Sequence, residues 1–369
     1  MAKQRQSRRR FLARVGALGS LALTVPSHGS PDGEHMPDGS DSQGLVTPDA
    51  QHAIDRGLAY LASTQARDGS FGERQYTGNV AVTSLAALAF MAGGHQPGRG
   101  TYGPHVLRAL NYVLSKEKPN PAGFLYHEQA FGRQSGPMYS HGFGALFLAE
   151  AYGMVPDRGL QQRLKGTIER AVQLIVSCQN DEGGWRYEPR KDQADSSVTI
   201  CQIMALRAAR NAGFFVPKKT VDRCVKYVRN CQSQTDGGFS YFANHGPSAF
   251  ARSAAGVVAL YCAGIYKGVE IDRGLKYLNQ FKPGRVFTRR DIPDMHYYYG
   301  QYYAAQAMWT AGGDYWKEWF PAIREELLTR QRERTDGVWV DGSTCNQYAT
   351  AMACIILQIP NNYLPILQK

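Results

Sequence analysis

One pattern runs through this chain six times: a polar-faced helical segment, a short Asp/Gly/aromatic turn, and a helix that is apolar almost all round. A helix pair at a period of about 50–60 residues cannot bury its apolar face alone, so successive pairs must stack. The second helices read over residues 79–94, 139–153, 196–213, 252–264, 302–313 and 348–360. Five of them end at glycine, at Gly93, Gly153, Gly213, Gly264 and Gly312, which suits a left-handed C-cap. The sixth ends at Pro360, which cannot continue a helix.

The first helices are amphipathic. Ile54, Leu58 and Leu61 fall on one face, as do Val221, Cys224, Val225 and Val228, and Trp316, Phe320, Ile323 and Leu327. The second helices, such as the run from Ala81 to Phe90, have no polar face and must be buried. Six amphipathic helices around six apolar ones predict an all-α fold, an (α/α)6 barrel or toroid. A linear solenoid is the alternative, but six pairs is the number that closes a ring.

The chain divides into three expected parts: residues 1–28 as a signal segment, 29–46 as a disordered linker, and 47–369 as the barrel domain. Ser7-Arg8-Arg9-Arg10-Phe11-Leu12 fits a twin-arginine signal, followed by a weakly apolar Ala/Leu/Gly run. That run favours export to the periplasm or cell envelope over a basic arm for nucleic acid. The linker is rich in Gly, Ser, Pro and Asp. The formal charge of +11 includes six cations in residues 1–28, with no acid there, leaving a mild +5 for the rest. No basic stripe with interleaved aromatics stands out, so nucleic acid is not an expected partner.

Seven cysteines, Cys178, Cys201, Cys224, Cys231, Cys262, Cys345 and Cys354, are irregularly spaced and mostly within helical patterns. Free buried thiols fit better than a disulfide framework. No Cys-x-x-Cys and no His-x-x-x-His occurs, so neither metal nor other cofactor is expected.

The turns carry the strongest local signature. Gln65 to Phe71, Gln179 to Trp185 and Gln280 to Val286 share a Gln-x-x-x-Gly-x-aromatic/apolar form, and Gln232 to Phe239 and Gln331 to Trp339 are longer versions. Gln can bond orphan carbonyls at a helix end, Asp and Gly make the turn, and the aromatic folds back as a plug between repeats. This pattern resembles the glutamine–tryptophan repeat of squalene–hopene cyclases, oxidosqualene cyclases and protein prenyltransferase β-subunits. The resemblance covers nearly the whole chain from about Thr47, and also extends to the prenyltransferase/squalene-oxidase-repeat proteins.

In such barrels the inner-helix N-termini rim a central cavity, so three helix starts are candidates. The first is Gln193-Ala194-Asp195-Ser196-Ser197-Val198-Thr199. The cyclase resemblance places Asp-x-Asp-Asp-Thr-Ala here, with Asp195 as the proton-donating middle Asp; Gln193 and Ser196 stand where the other two carboxylates would be. Asp195 can also N-cap its helix through the Ser197 or Val198 amide. The second runs from Asp291 to Tyr303. His296, Tyr298, Tyr299, Gln301 and Tyr302 would line an aromatic wall that stabilises cations or stacks on sugars. The prenyltransferase resemblance would put a zinc-ligating His near His296, but the partnering Asp-x-Cys is replaced by Ala251-Arg252-Ser253-Ala254. The third is Tyr139-Ser140-His141-Gly142 with Arg252, whose charge on an apolar helix start needs Asp195 or a ligand anion.

These starts assign Asp195, His141 and His296 as catalytic, and Tyr139, Arg252, Tyr298, Tyr299, Gln301 and Tyr302 as substrate-binding. The leading reading is an exported terpenoid cyclase/prenyltransferase-like protein, leaning to an enzyme of transferase or isomerase type, with an isoprenoid-like or other small-molecule ligand. It requires a deep apolar cavity. A non-catalytic binding toroid of the envelope is the second reading. The third is a carbohydrate-active (α/α)6 enzyme with two carboxylates roughly 5–10 Å apart, drawn from Asp195, Asp291, Asp294 and Glu150. The sequence leaves open any peripheral membrane contact and the oligomeric state.

Overall fold

The computed structural model describes residues 44–128, 136–284, 296–332 and 336–368. The signal segment, most of the linker, and Asp291 and Asp294 lie outside them. Twelve helices alternate in the described residues. The outer ones are α1 (Pro48–Thr64), α3 (Gly103–Ser115), α5 (Arg158–Cys178), α7 (Lys218–Asn230), α9 (Val269–Asn279) and α11 (Gly313–Arg332). The inner ones are α2 (Val80–Ala92), α4 (Pro137–Tyr152), α6 (Ser196–Asn211), α8 (Phe250–Cys262), α10 (Tyr297–Ala311) and α12 (Asn346–Gln358).

Each inner helix packs on the next, from α2 through α4, α6, α8 and α10 to α12, and α12 returns to α2. The ring is closed, which excludes the linear solenoid. Composition explains the layers. Helix α2 buries every residue except Ala81, and its alanines let neighbouring backbones approach. Helix α1 buries only one stripe, built on Ile54, Leu58 and Leu61.

A repeated clasp joins each turn to the next outer helix. The side-chain amide of Gln179 donates to the carbonyls of Gly183 (2.8 Å) and Thr220 (2.9 Å), the latter in the first turn of α7. Gln65 does the same to Gly69 and His105, Gln232 to Gly237 and Glu270, and Gln331 to Gly337 and Ala53. The glutamine therefore ties repeat to repeat rather than closing the carbonyls of its own helix end. Gly183 has φ +103°, and a Cβ there would run into the Arg223 carbonyl of α7.

The aromatic that follows is locked to the inner helix. Backbone amides of Phe71, Trp185, Phe239 and Trp339 donate to hydroxyls of Thr83, Thr199, Ser253 and Thr350 at 2.8–3.2 Å. The second repeat departs from this plan: a hairpin of β1 (Glu117–Pro119) and β2 (Ala122–Leu125) replaces the turn, an exception to the all-α expectation.

Two helix-end expectations need correction. Gly93 and Gly153 have φ of −80° and −77°, and Gly94 takes the left-handed position in the first repeat. Pro360 lies within a short 3-10 turn, Ile359–Asn361, where its fixed φ is tolerated. Helix α10 begins at Tyr297, five residues before the expected 302, because tyrosines continue a buried helix as readily as they line a wall.

Candidate functional site: the inner-helix rim

The hydroxyl acceptors define a register common to all repeats. In the second repeat the same place is held by His141, whose Nδ1 accepts from the Leu125 amide of the hairpin (3.2 Å). Counting two residues back from each acceptor gives Ala81, Tyr139, Ser197, Ala251 and Tyr348, and Tyr299 completes the set on α10. Each keeps partly reachable surface near an otherwise buried inner-helix start. Tyr139 and Tyr299 do so while enclosed by protein, so they face the interior of the ring and not its outer surface.

Three of the six rim positions are tyrosines. The Tyr299 hydroxyl donates across the barrel to the Ser197 carbonyl (3.2 Å). Burial holds that phenol well above its usual range, with Cys201, Tyr139, Asp195 and Tyr348 adding to the effect, so these groups share one space. Below the rim, Tyr302 meets Phe143 with ring centroids 6.4 Å apart, and the Tyr303 hydroxyl lies 3.5 Å from Cys201 Sγ. The interior beneath the rim is therefore packed with aromatic rings.

Asp195 lies close to Tyr139 and Tyr299. It N-caps α6: Oδ1 accepts from the Val198 amide (2.9 Å) and the Ser197 hydroxyl (2.8 Å). The residue is fully buried, and among the described residues Oδ2 makes no well-formed hydrogen bond, although the Tyr241 hydroxyl lies close enough to act on the carboxyl. Burial raises its pKa; the cap bonds, Arg186 and Tyr241 pull the other way. The result is a carboxyl group that holds its proton more tightly than an exposed aspartate.

Two loop tyrosines cover this carboxyl. Tyr187 and Tyr241 touch through their hydroxyls. Their backbone carbonyls accept from Met138 (2.9 Å) and Ser196 (3.0 Å), tying the loops to the starts of α4 and α6.

The other sequence candidates are placed differently. His141 is fully buried, with Nε2 donating to the Ala171 carbonyl (3.3 Å) of α5, and burial pushes its pKa down to about 4. Both ring nitrogens are spent on backbone, so His141 is a structural acceptor and not an acid or base. Tyr298 packs edge-on against Tyr297 (5.0 Å), and Tyr297 lies under the Arg330 guanidinium of α11 (3.7 Å). Gln301, one helical turn beyond Tyr297, shares that outward face. Gln301 occupies the acceptor register of the fifth repeat; its amide has no partner among the described residues. His296 is exposed just before α10 and makes no cap.

Arg252 does not pair with Asp195. It donates to the Pro247 carbonyl (3.2 Å) and lies 5.9 Å from the Tyr241 ring centroid. Tyr139 and Tyr299 keep partly reachable surface at the rim, and Tyr302 is buried against Phe143. Sequence reasoning assigned no role to Tyr348, Tyr187, Tyr241 or Arg186, and had Tyr303 only as part of the aromatic wall. Aligning the repeats on Thr83, Thr199, Ser253 and Thr350 would have exposed Tyr348.

Glu150 lies at the opposite end. Its Oε2 accepts from the Ile366 amide (3.1 Å) of the C-terminal segment, and Trp309 Nε1 donates to Leu367 O (2.9 Å). Thirteen residues of helix in this common register separate the levels of Asp195 and Glu150, about 20 Å along the axis. They cannot form a glycosidase pair. Two cavities, of about 30 Å³ and 820 Å³, lie away from the rim, one beneath this segment and one between α5 and the α6–α7 connection.

All seven cysteines are free and buried. Among the described residues, no group of three His, Cys, Asp or Glu could hold a metal, and no helix is long and apolar enough to cross a membrane.

Comparison with known proteins agrees with this architecture. Residues 160–283, from α5 into the turn after α9, match the prenyltransferase alpha-alpha toroid domain. Drimenyl diphosphate synthase from Streptomyces showdoensis is 27% identical over 161 residues, which is 43% of this chain but only 27% of that protein. A type II terpene cyclase from Scytonema, solved with its product merosterolic acid A, superposes with TM-score 0.58 at 13% identity, covering 85% of this chain and 97% of the other. An α-1,6-mannanase from Salegentibacter sp. HEL1_6 gives TM-score 0.60 at 8% identity over 85% and 99%. The two structural likenesses speak to the fold alone, while the domain match and the synthase add sequence; together with the repeated glutamine clasp they make this chain a prenyltransferase/terpenoid cyclase-like α/α toroid.

Proposed function

We propose that this toroid is a terpenoid cyclase-type protein that takes an isoprenoid-like ligand into the aromatic interior beneath the rim, with Asp195 as the acid. The observation that carries the reading is the Asp195 carboxyl itself: buried, oriented by its cap bonds, and close to the rim tyrosines Tyr139 and Tyr299. The synthase likeness, a match in sequence, supports the same substrate class.

The chemistry would run as follows. The Asp195 proton moves to a terminal alkene, whose π pair forms the new C–H bond. This leaves a carboxylate and a tertiary cation. Successive alkenes attack the cation and close rings. Tyr139, Tyr299, Tyr302 and Tyr348 present ring faces to that moving charge. Loss of a proton to water ends the cascade, and a proton from water restores the acid; the net reaction is an isomerisation. In the carbohydrate reading Glu150 is not the second carboxylate, since it holds the C-terminal segment; Asp291 and Asp294 lie outside the described residues.

The test is incubation with squalene, farnesol and farnesyl diphosphate, followed by mass spectrometry of extracts. A cyclised product of unchanged mass, lost in Asp195→Asn, is expected. An Asn variant that turns over like wild type, or a wild type that makes no product, would sink the reading. We also propose export through Ser7-Arg8-Arg9-Arg10-Phe11-Leu12; replacing Arg8 and Arg9 with Lys should hold the protein in the cytoplasmic fraction.

A further inference from the structure

Phe215 is the most exposed large apolar side chain among the described residues, at 83%. It stands in the connection between α6 and α7. Just past α6, Gly213 takes the left-handed conformation (φ +92°), and the Phe214 amide donates to the Ala209 carbonyl (2.9 Å). This closure sets Phe214 inward, where its ring meets that of Tyr152 edge to face with centroids 5.0 Å apart. The inward place is taken, and Phe215 is left in solvent.

Beside it lies the groove of about 820 Å³, lined by Val172 and Val176 of α5 and by Phe214 and Pro217. Phe215 rims this groove without filling it, so an apolar knob and an apolar recess are neighbours on one patch. A two-fold interface needs that arrangement, because each copy must supply both halves of every contact. The charges obey the same rule. Lys165 and Glu169 lie one turn apart on the α5 side (3.8 Å), each about half exposed, and Lys218 and Asp222 lie one turn apart at the start of α7 (2.7 Å). Each flank carries one cation and one anion, so a copy turned by a half rotation sets cation against anion. An anionic lipid surface would be met by cations alone.

We propose that this flank is the interface between two copies of the chain, with Phe215 of each seated in the groove of the other and Lys165 and Glu169 paired across facing α5 helices. An aromatic anchor in a recess, ringed by polar groups, is the form in which a few residues carry most of the energy of association. The groove lies away from the rim, so the dimer leaves Asp195 uncovered in both copies. The interface is independent of the isoprenoid reading.

The experiment is sedimentation equilibrium of the full chain between about 1 and 100 µM. Wild type should dimerise within that range. Phe215→Ser should raise the dimer Kd at least about tenfold with the melting temperature unchanged, because the ring is exposed in the single copy. Lys165→Glu and Glu169→Lys should each raise Kd by about tenfold. An equimolar mixture of those two variants should recover dimer, since an acidic face then meets a basic one, and about 1 M salt should abolish the recovery. Should Phe215→Ser fail to fold, this charge exchange decides alone. A wild type still monomeric at the highest concentration, variants that dimerise like wild type, or a mixture no tighter than its parts would overturn the interface. A monomeric wild type that sediments with phosphatidylglycerol vesicles, while Phe215→Ser does not, would overturn it in favour of a lipid surface.

Discussion

Asp195 and His141 show how one helix start can be chemical and its equivalent structural. Burial raises the Asp195 pKa above 3.8, so the folded chain keeps a proton that the unfolded chain has released. Its stabilising share is complete below pH 3.8 and is lost as the pH rises through the raised value. Asp195→Asn should keep the cap and remove that slope. Asp195→Ala should cost about 1 kcal/mol more than the Asn variant through loss of the cap, as read by urea unfolding. His141 runs the other way. Its folded pKa of about 4 lies below the usual 6.5, so stability is present above pH 6.5 and falls away toward pH 4, by about 3 kcal/mol at most. His141→Ala should flatten that decline and cost about 1–3 kcal/mol by stranding the Leu125 amide. An unchanged low-pH decline would refute this role. Asp195 was legible because an aspartate before an apolar helix is a cap whatever else it does. His141 was not, because its role depends on a hairpin partner sixteen residues earlier in the chain.

The elements are held by a small kit used repeatedly: a glutamine, a left-handed glycine, an aromatic plug and a hydroxyl. Gly183→Ala should destabilise by more than about 2 kcal/mol, since strain and a backbone collision coincide. Thr199→Val keeps the shape but leaves the Trp185 amide without an acceptor, for about 1–3 kcal/mol. Calorimetric melting of both variants checks this, and a Thr199→Val protein as stable as wild type would mean that the plug holds by packing alone. The sequence displayed this kit well because its parts are local. The six inner helices were legible for the same reason, being apolar on every side. The start of α10 was not, since Tyr297 to Tyr303 read equally as a wall or as buried helix, and only the ring around them decides which hydroxyls face inward.

Across the whole molecule, the two ends of the barrel have opposite characters: an aromatic, arginine-flanked mouth and a floor closed by the C-terminal segment. Glu150 bonds that segment, and burial pushes its pKa up to about 8. The raised value means that its stabilising share is complete below pH 4.5 and lost as the pH climbs through about 8, by roughly 5 kcal/mol at most. Glu150→Gln should therefore melt higher than wild type at pH 9 while retaining an acceptor for Ile366. Parallel melting curves from pH 5 to 9 would count against this.

The bond that joins the last outer helix to the first, Gln331 to the Ala53 carbonyl, is the same bond that joins neighbours elsewhere, Gln179 to Thr220 among them. No repeat is therefore privileged as a beginning. An open array can lengthen or shorten by whole units, but a closed hexad cannot gain or lose one without changing the angle at every junction. Diversification of such a chain is confined to its connections, and the departures from plan lie there: the hairpin of the second repeat and the arginine-bearing loops at the mouth.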